Sequence, residues 1–324
     1  MDKIKWGILG TANIARWATI PGIKLASNAE LYAIAGRSLE KAKSFAEEYG
    51  FEKYYGSYEE LLNDTDVQAV YIPLPNGLHK KWVIEALKAK KNVLCEKPLA
   101  LNATDAEEMF TAAKENGVNL MEAYAYLHSP YMQSLRDDVK SGIIGTVDFI
   151  DTAFVTQGYT EDIRLYKELG GGAFYDLGCY CSTMILSLID SELASVKAVA
   201  EFTEKGVDQM TTGFVRFTNG ARASFNVGMI FGRESNSRFD RLYIHGSKGC
   251  IKSDVEYNQA GDLSYTIYTA GKSIVRKIHS PQNYSLEIEQ MGKCILSGEK
   301  PFVSPEFSIK NSRFMDAVFK EIGY

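Results

Sequence analysis

The sequence has no long apolar run, no excess of basic charge and no C-x-x-C cysteine pair. No stretch approaches the roughly 18 apolar residues that a membrane span needs, so no membrane is expected among its partners. Lys and Arg number 36 against 41 Asp and Glu, for a net charge of −5. A nucleic-acid surface normally carries a basic stripe, so no nucleic acid is expected either. The nearest basic run, Lys88-Ala89-Lys90-Lys91, reads as the solvated end of a helix, whose C-terminal dipole favours cations. The five cysteines include Cys179 and Cys181, two apart, a poor spacing for zinc, and no metal is expected. An odd cysteine count, with Met1-Asp2-Lys3 leading straight into a strand and no signal peptide, fits a reducing cytoplasm. What is present is ordinary for a globular protein: 324 residues, 45% hydrophobic and 24% charged, enough for two domains.

The first half alternates strand and helix patterns. Lys5–Leu9 is a buried-strand run that enters Gly10-Thr11-Ala12-Asn13-Ile14-Ala15, the spacing of a G-x-G-x-x-G/A phosphate turn. Gly10 permits the bend, small Ala12 lets backbone approach a pyrophosphate, and Ala15 lets the next helix pack close. The N–H groups of Thr11 to Ile14 would hold the phosphates. The alternative is an ordinary strand–helix turn. Strand Glu30–Ala35 ends at Gly36-Arg37-Ser38, with Lys41 one turn on. About 20 residues past the turn, an NAD-preferring chain places an Asp or Glu for the ribose 2′-hydroxyl. No acid stands here, and a guanidinium pairs bidentately with a 2′-phosphate, which predicts NADP(H) over NAD(H). The alternative is a surface arginine opening a helix.

Helices are predicted at Leu39–Tyr49, Ser57–Asn63 and His79–Lys88, and strands at Val67–Ile72, Asn92–Cys95 and Val118–Ala123. Thr104-Asp105-Ala106-Glu107 has the form of a capping box. Pro73-Leu74-Pro75-Asn76-Gly77-Leu78-His79 forms a rigid loop suited to a cofactor wall through Pro73, Leu74 and Asn76. His79 is either a ligand contact or a structural cap. Glu96-Lys97-Pro98 follows a strand and places a lysine at the mouth of the sheet, the usual ligand side of a doubly wound fold. Residues 1–123 therefore form a dinucleotide-binding Rossmann domain with a parallel sheet.

Residues 124–324 change character. A helix at Tyr131–Lys140 precedes alternating runs at Thr146–Phe154, Ser195–Phe202, Met210–Phe217, Ala221–Met229, Arg241–His245, Cys250–Ser253 and Leu263–Tyr268. Asn219-Gly220 signals a type I′ hairpin. Helices at Tyr284–Ser297 and Ile309–Ile322 complete an α+β domain with a large, mostly antiparallel, open-faced sheet. An exposed apolar sheet face marks an association surface, so a homodimer or homotetramer built through it is expected. Within this half, Asp162-Ile163-Arg164 precedes Gly170-Gly171-Gly172, and Asp176 and Tyr180 lie four apart on one helix face. Bare backbone, an acid and a phenol make a candidate substrate wall. The alternative is a capping aspartate and a packed tyrosine.

Gly10–Ala15, the Pro75-Asn76-x-x-His79 loop, Glu96-Lys97-Pro98 and Gly170–Tyr180, in that order and spacing, resemble the Gfo/Idh/MocA family of NAD(P)-dependent oxidoreductases over essentially the whole chain. Trp6–Gly10, Leu94–Pro98, Met121-Glu122-Ala123 and the Gly-Gly-Gly-Ala…Asp-x-Gly-Cys-Tyr run are most similar to its dimeric dihydrodiol dehydrogenase and D-xylose 1-dehydrogenase branch. The resemblance implies that Lys97 is the active-site lysine, with Glu96 and Lys97 at the nicotinamide and Lys97–Pro98 a cis bond. It implies that Asp176 contacts or orients a sugar, polyol or diol substrate beside Tyr126 and Arg164, and that Tyr180 holds the acid/base position, where many relatives carry histidine. Leu127 stands where that branch often has arginine, so a less polar pocket is expected there.

The chemistry expected is hydride transfer from a carbinol carbon, with a base within reach of its hydroxyl proton. A free phenol, with a pKa of about 10, is a poor base at neutral pH. A nearby ammonium favours the phenolate, the role expected of Lys97 toward Tyr180. Two other readings stand beside a dehydrogenase: a transhydrogenase of the glucose–fructose oxidoreductase type that keeps its NADP, and a non-catalytic dinucleotide-sensing regulator.

Overall fold

The computed structural model describes residues 3–156, 162–229, 238–253 and 257–324. Met1-Asp2, where a leader was sought, lies outside them. The chain divides into two compact units, Met1–His128 with Pro281–Ile309, and Ser129–Ser280 with Lys310–Tyr324. The boundary is thus later than 123/124, and a C-terminal segment returns to the first unit. Helix Asn283–Ser297 does this with a buried face of Ile288 and Met291. Polar ties add to it: Gln282 Nε2 donates to the Ala18 carbonyl at 2.8 Å and Asn28 Nδ2 to that of Glu289 at 2.9 Å.

In the first unit β1 (Ile4–Leu9), β2 (Ala29–Ala35), β3 (Lys53–Tyr55), β4 (Ala69–Ile72), β5 (Asn92–Glu96) and β6 (Leu120–Ala123) form a parallel sheet in the order β3-β2-β1-β4-β5-β6. The strands are nearly continuous apolar runs because helices cover both faces. Strand β3 escaped the sequence reading because three half-exposed residues carry no period. The helices are α1 (Ile20–Leu25), α2 (Leu39–Tyr49), α3 (Tyr58–Asn63), α4 (Asn76–Lys88) and α5 (Ala103–Asn116). Helix α5 is not capped by Thr104. Asn102 is its N-cap, with Oδ1 accepting the Asp105 N–H at 2.8 Å. Likewise α4 begins at Asn76 rather than His79, so the last four of the seven residues of the expected rigid loop form a helical turn that follows Pro75.

In the second unit, helix α6 (Pro130–Lys140) precedes β7 (Val147–Val155), and a helix runs through a π-type turn at Phe174–Gly178 into α7 (Cys179–Leu188). Strands β8 (Leu193–Phe202), β9 (Asp208–Phe217), β10 (Arg222–Gly228), β11 (Phe239–Gly246), β12 (Gly249–Ser253), β13 (Gly261–Thr269) and β14 (Lys272–Ser280) join β7 in an eight-stranded sheet of order β14-β13-β12-β11-β7-β10-β9-β8. All pairs are antiparallel except β7 with β10. Strand β14 was not foreseen; it is an edge strand whose lysines and arginine break the apolar pattern and protect the edge. The Asn219-Gly220 turn is not type I′. Of the two residues only Gly220 has a positive φ, +89°, and Gly220 N–H bonds the Phe217 carbonyl at 3.0 Å. That is the type I turn plus left-handed glycine that also closes hairpins. With Asn283–Ser297 as α8, helix α9 (Pro305–Ile322) ends the fold. Among the described residues no helix is long and apolar enough to cross a membrane, no group of His, Cys, Asp and Glu could hold a metal, and none of the five cysteines forms a disulfide.

Candidate active site

Strand order reverses between β1 and β4, and ligands of open parallel sheets bind outside the carboxyl ends of strands at such a point. Leu9 leads there into Gly10, whose φ is +115° and whose N–H bonds the Ala35 carbonyl at 2.8 Å. A side chain at Gly10 would be strained and would lie 3.1 Å from Leu74 Cδ2. Thr11, Ala12 and Ile14 stay partly accessible and Asn13 is exposed, while Ala15 is wholly buried against the sheet. A bare turn with accessible N–H groups fits a pyrophosphate. After β2, Arg37 and Lys41 are exposed, so two cations stand just past the carboxyl end of that strand. The Ser38 hydroxyl accepts the Lys41 N–H at 3.4 Å, which makes Ser38 the N-cap of α2. Pro73 and Leu74 are buried, and Asn76 is half-buried.

The sharpest local feature surrounds Lys97. The Lys97–Pro98 bond is cis. Three successive backbone groups there are held by three buried side chains. Glu96 Oε2 accepts the Lys97 N–H at 3.2 Å, His79 Nδ1 bonds the Pro98 carbonyl at 2.9 Å, and Glu122 Oε1 accepts the Leu99 N–H at 2.8 Å. The buried Tyr71 hydroxyl donates to Glu96 Oε1. The half-buried Lys97 side chain therefore projects from backbone fixed on every side. His79 is fully buried and its Nε2 bonds the Leu74 carbonyl at 2.7 Å. It ties the loop after β4 to the Lys97 segment, with both ring nitrogens on backbone carbonyls. Burial lowers its pKa, opposed by the carbonyls, and a neutral ring donates to one of the two.

Glu122, Tyr71 and Glu287 were missed as participants. The available signal was an acid inside the apolar strand Leu120-Met121-Glu122-Ala123. Burial raises the Glu122 pKa to about 7, opposed in part by the Leu99 N–H that its Oε1 accepts. Burial pushes the Glu287 carboxyl well above the usual range, helped by the charge of Glu96, and neither of its oxygens has a hydrogen-bond partner among the described residues. Tyr126 and Leu127 are buried in a short 3-10 turn, Ala125–His128, so Leu127 belongs to the packing there.

In the second unit Asp176, 8% exposed, accepts from Arg164 Nε at 2.6 Å, and Arg164 also pairs with Asp162 at 3.0 Å. The two predicted substrate residues are thus each other's partners. The glycine run is not an open wall. It is buried against its own unit: a Cβ on Gly171 would lie 2.3 Å from the Arg164 carbonyl, and one on Gly172 (φ +113°) 2.2 Å from Asp208 Oδ1. Asp208 caps the helix behind it by accepting the Phe174 N–H at 2.9 Å and the Thr211 hydroxyl at 2.6 Å, and burial raises its pKa to about 6. Tyr180 packs its ring against Tyr257 and Phe154, with centroids at 5.1 and 5.5 Å, and its hydroxyl accepts from Asn258 Nδ2 at 3.1 Å.

Residues 4–124 match the family profile described as an oxidoreductase family with an NAD-binding Rossmann fold, and residues 132–252 match the GFO/IDH/MocA C-terminal domain. The chain belongs to the Gfo/Idh/MocA family. It is an NAD(P)-binding oxidoreductase that acts on CH–OH groups. Trans-1,2-dihydrobenzene-1,2-diol dehydrogenase of Xenopus laevis is 33% identical over 98% of both chains. D-xylose 1-dehydrogenase (NADP(+)) 2 of Haloferax volcanii is 32% identical over 97% of this chain and 96% of its own. Among solved structures, KijD10, a 3-ketoreductase from Actinomadura kijaniata in complex with NADP and TDP-benzene, superposes with a TM-score of 0.92 at 29% identity, covering 99% of this chain and 98% of its own.

Proposed function

We propose that this oxidoreductase prefers NADP(H) and moves hydride between the nicotinamide and a carbinol carbon of a sugar, polyol or diol. The observation that carries the reading is the clamped Lys97, a cation on immobilised backbone at the ligand edge of a parallel sheet. Arg37 and Lys41 at the ribose end, with no acid between Gly36 and Ser38, support the 2′-phosphate. The substrate class is supported by relatives named for D-xylose, a dihydrodiol and a dideoxy-sugar nucleotide.

The dinucleotide, when bound, supplies the hydride acceptor or donor. The protein's share is to bind it on the Gly10 turn and to move one proton. Tyr180 Oη takes the hydroxyl proton on oxidation and returns it on reduction. Asp176, neutralised by Arg164, orients a substrate hydroxyl. Tyr180→Phe should lower kcat by about 10²–10⁴-fold with NADPH binding retained. A screen of aldoses, polyols and diols, followed by nicotinamide absorbance with NADP and NAD in parallel, tests the assignment. Equal kcat in Tyr180→Phe would make the tyrosine structural.

A second reading, a transhydrogenase that retains its cofactor, is favoured by the likeness to an aldose–aldose oxidoreductase from Caulobacter crescentus, with a TM-score of 0.89 at 26% identity and 98% of this chain covered. A dinucleotide that survives dialysis would select it. The exposed apolar residues of the sheet, among them Val199 at 72% and Val275 at 56% exposure, support association into a homodimer or homotetramer through that face. Sedimentation as a monomer at micromolar concentration would refute this.

A further inference from the structure

Tyr180 receives a hydrogen bond from a residue that no sequence motif marked. Asn258 Nδ2 donates to Tyr180 Oη at 3.1 Å. Asn258 sits at φ +62°, one of two non-glycine residues with positive φ among those described, in a conformation that asparagine tolerates better than most. Its Oδ1 is buried and has no hydrogen-bond partner among the described residues. A left-handed backbone and an unsatisfied acceptor are both local costs, and such costs gather where geometry serves a site. Both are incurred in bringing one N–H to one phenol oxygen.

The ring of that phenol is fixed as well. Tyr257, the residue before Asn258, lies against the Tyr180 ring and stacks on Phe154 at 5.0 Å with the planes 9° apart. The Tyr257 hydroxyl bonds Thr152 Oγ1 at 3.1 Å, and the Arg238 guanidinium lies over Phe154 at 4.3 Å while pairing with Asp240 at 2.7 Å. Tyr257-Asn258 therefore grips both ring and oxygen of Tyr180.

We infer that Asn258 is a positioning residue for Tyr180, donating to its oxygen so that the phenolate is stabilised and the phenol's own proton is directed elsewhere. A donor to the charged form of an acid favours that form. The inference rests on the acid–base reading of Tyr180 for its catalytic meaning, though not for its effect on the phenol. Of the titratable and charged groups in this unit, Tyr257 packs on the Tyr180 ring and Arg238, paired with Asp240, covers the neighbouring Phe154, while Cys181 follows Tyr180 in the chain and Asp176, paired with Arg164 from the turn Ile163–Leu165, precedes it by about one helical turn.

The test uses Asn258→Gly and Asn258→Asp, two residues that accept positive φ, so that backbone strain is not the variable. Tyrosine labelled with carbon-13 at the ring carbon bearing oxygen reports each phenol's titration by NMR, and Tyr180→Phe identifies the Tyr180 signal. Loss of one neutral donor to a charged oxygen should move the Tyr180 titration upward by about one pH unit in Asn258→Gly. Asn258→Asp should move it further, since a carboxylate repels the phenolate. The phenol-dependent limb of the kcat pH profile should follow both. An unchanged Tyr180 titration in both variants overturns the inference. So does a downward movement in Asn258→Gly, the mark of a phenol that donates to the amide oxygen. If Tyr180→Phe keeps full kcat, the acid–base reading fails, and the NMR arm still decides what Asn258 does to the phenol.

Discussion

Replacing Glu122 by Gln tests whether the Lys97 segment is held by a carboxyl that resists ionisation. Glu122 is 1% exposed, and burial raises its pKa from an ordinary 4.5 to about 7. Below about pH 4.5 the group is protonated in both folded and unfolded chains and stability is unaffected. As pH rises, the unfolded chain releases its proton first, so the folded state binds more protons and stability falls. Above about pH 7 the full penalty is present. The gap between 4.5 and about 7 corresponds to about 3.5 kcal/mol, at roughly 1.4 kcal/mol per pH unit. Gln keeps an oxygen for the Leu99 N–H and removes the ionisation, and any cost of placing its NH₂ group is independent of pH.

The stability difference between Glu122→Gln and the parent should therefore shift in the variant's favour by about 2–3 kcal/mol between pH 5 and pH 8. Urea unfolding followed by tryptophan fluorescence reads the right part of the molecule. The chain's three tryptophans, Trp6, Trp17 and Trp82, all belong to the unit that contains Glu122. Glu287 and Asp208 also lose stability as pH rises, but they do so in both proteins and cancel. A difference that is the same at pH 5 and pH 8 would mean that Glu122 ionises as readily folded as unfolded, and the clamp argument would be refuted.

Arg37→Ala should raise the KM for NADPH by about 10–100-fold, the worth of one or two charge-assisted hydrogen bonds, and leave that for NADH nearly unchanged. Equal losses with both cofactors would remove the 2′-phosphate assignment. His79→Ala should cost roughly 1–3 kcal/mol in urea unfolding, because a buried carbonyl of Leu74 or Pro98 loses its donor. A variant of unchanged stability that lost only cofactor affinity would restore the contact role that its sequence position suggested.

The legible parts of this protein were those written in local pattern. Continuous apolar runs alternating with helical periods gave β1, β2, β4, β5 and β6, and the β-branched alternation after residue 146 announced a second sheet. Short or charged edge strands, β3 and β14, carried too little period to be seen. The turn at Asn219-Gly220 was recognisable as a turn, but its type depended on which residue took the left-handed conformation. The cap at Asn102 was overlooked because Thr104 and Glu107 matched a stronger consensus two residues too late.

The sequence by itself determined the groups available: a glycine turn after β1, an arginine without an acid after β2, and Glu96-Lys97-Pro98 at the carboxyl edge of a parallel sheet. These are fixed by backbone conformation and charge within a few residues, so local sequence suffices. Only tertiary structure decided which polar groups meet. His79 turned inward because two carbonyls far apart in sequence converge on it, Asp176 was claimed by Arg164, and the glycine run was closed by Asp208 from β9. Tyr180 gained Asn258, 78 residues away, because the chain returns there after five intervening strands of the sheet. Burial, and with it the raised pKa of Glu122, is likewise a property of packing that no spacing records.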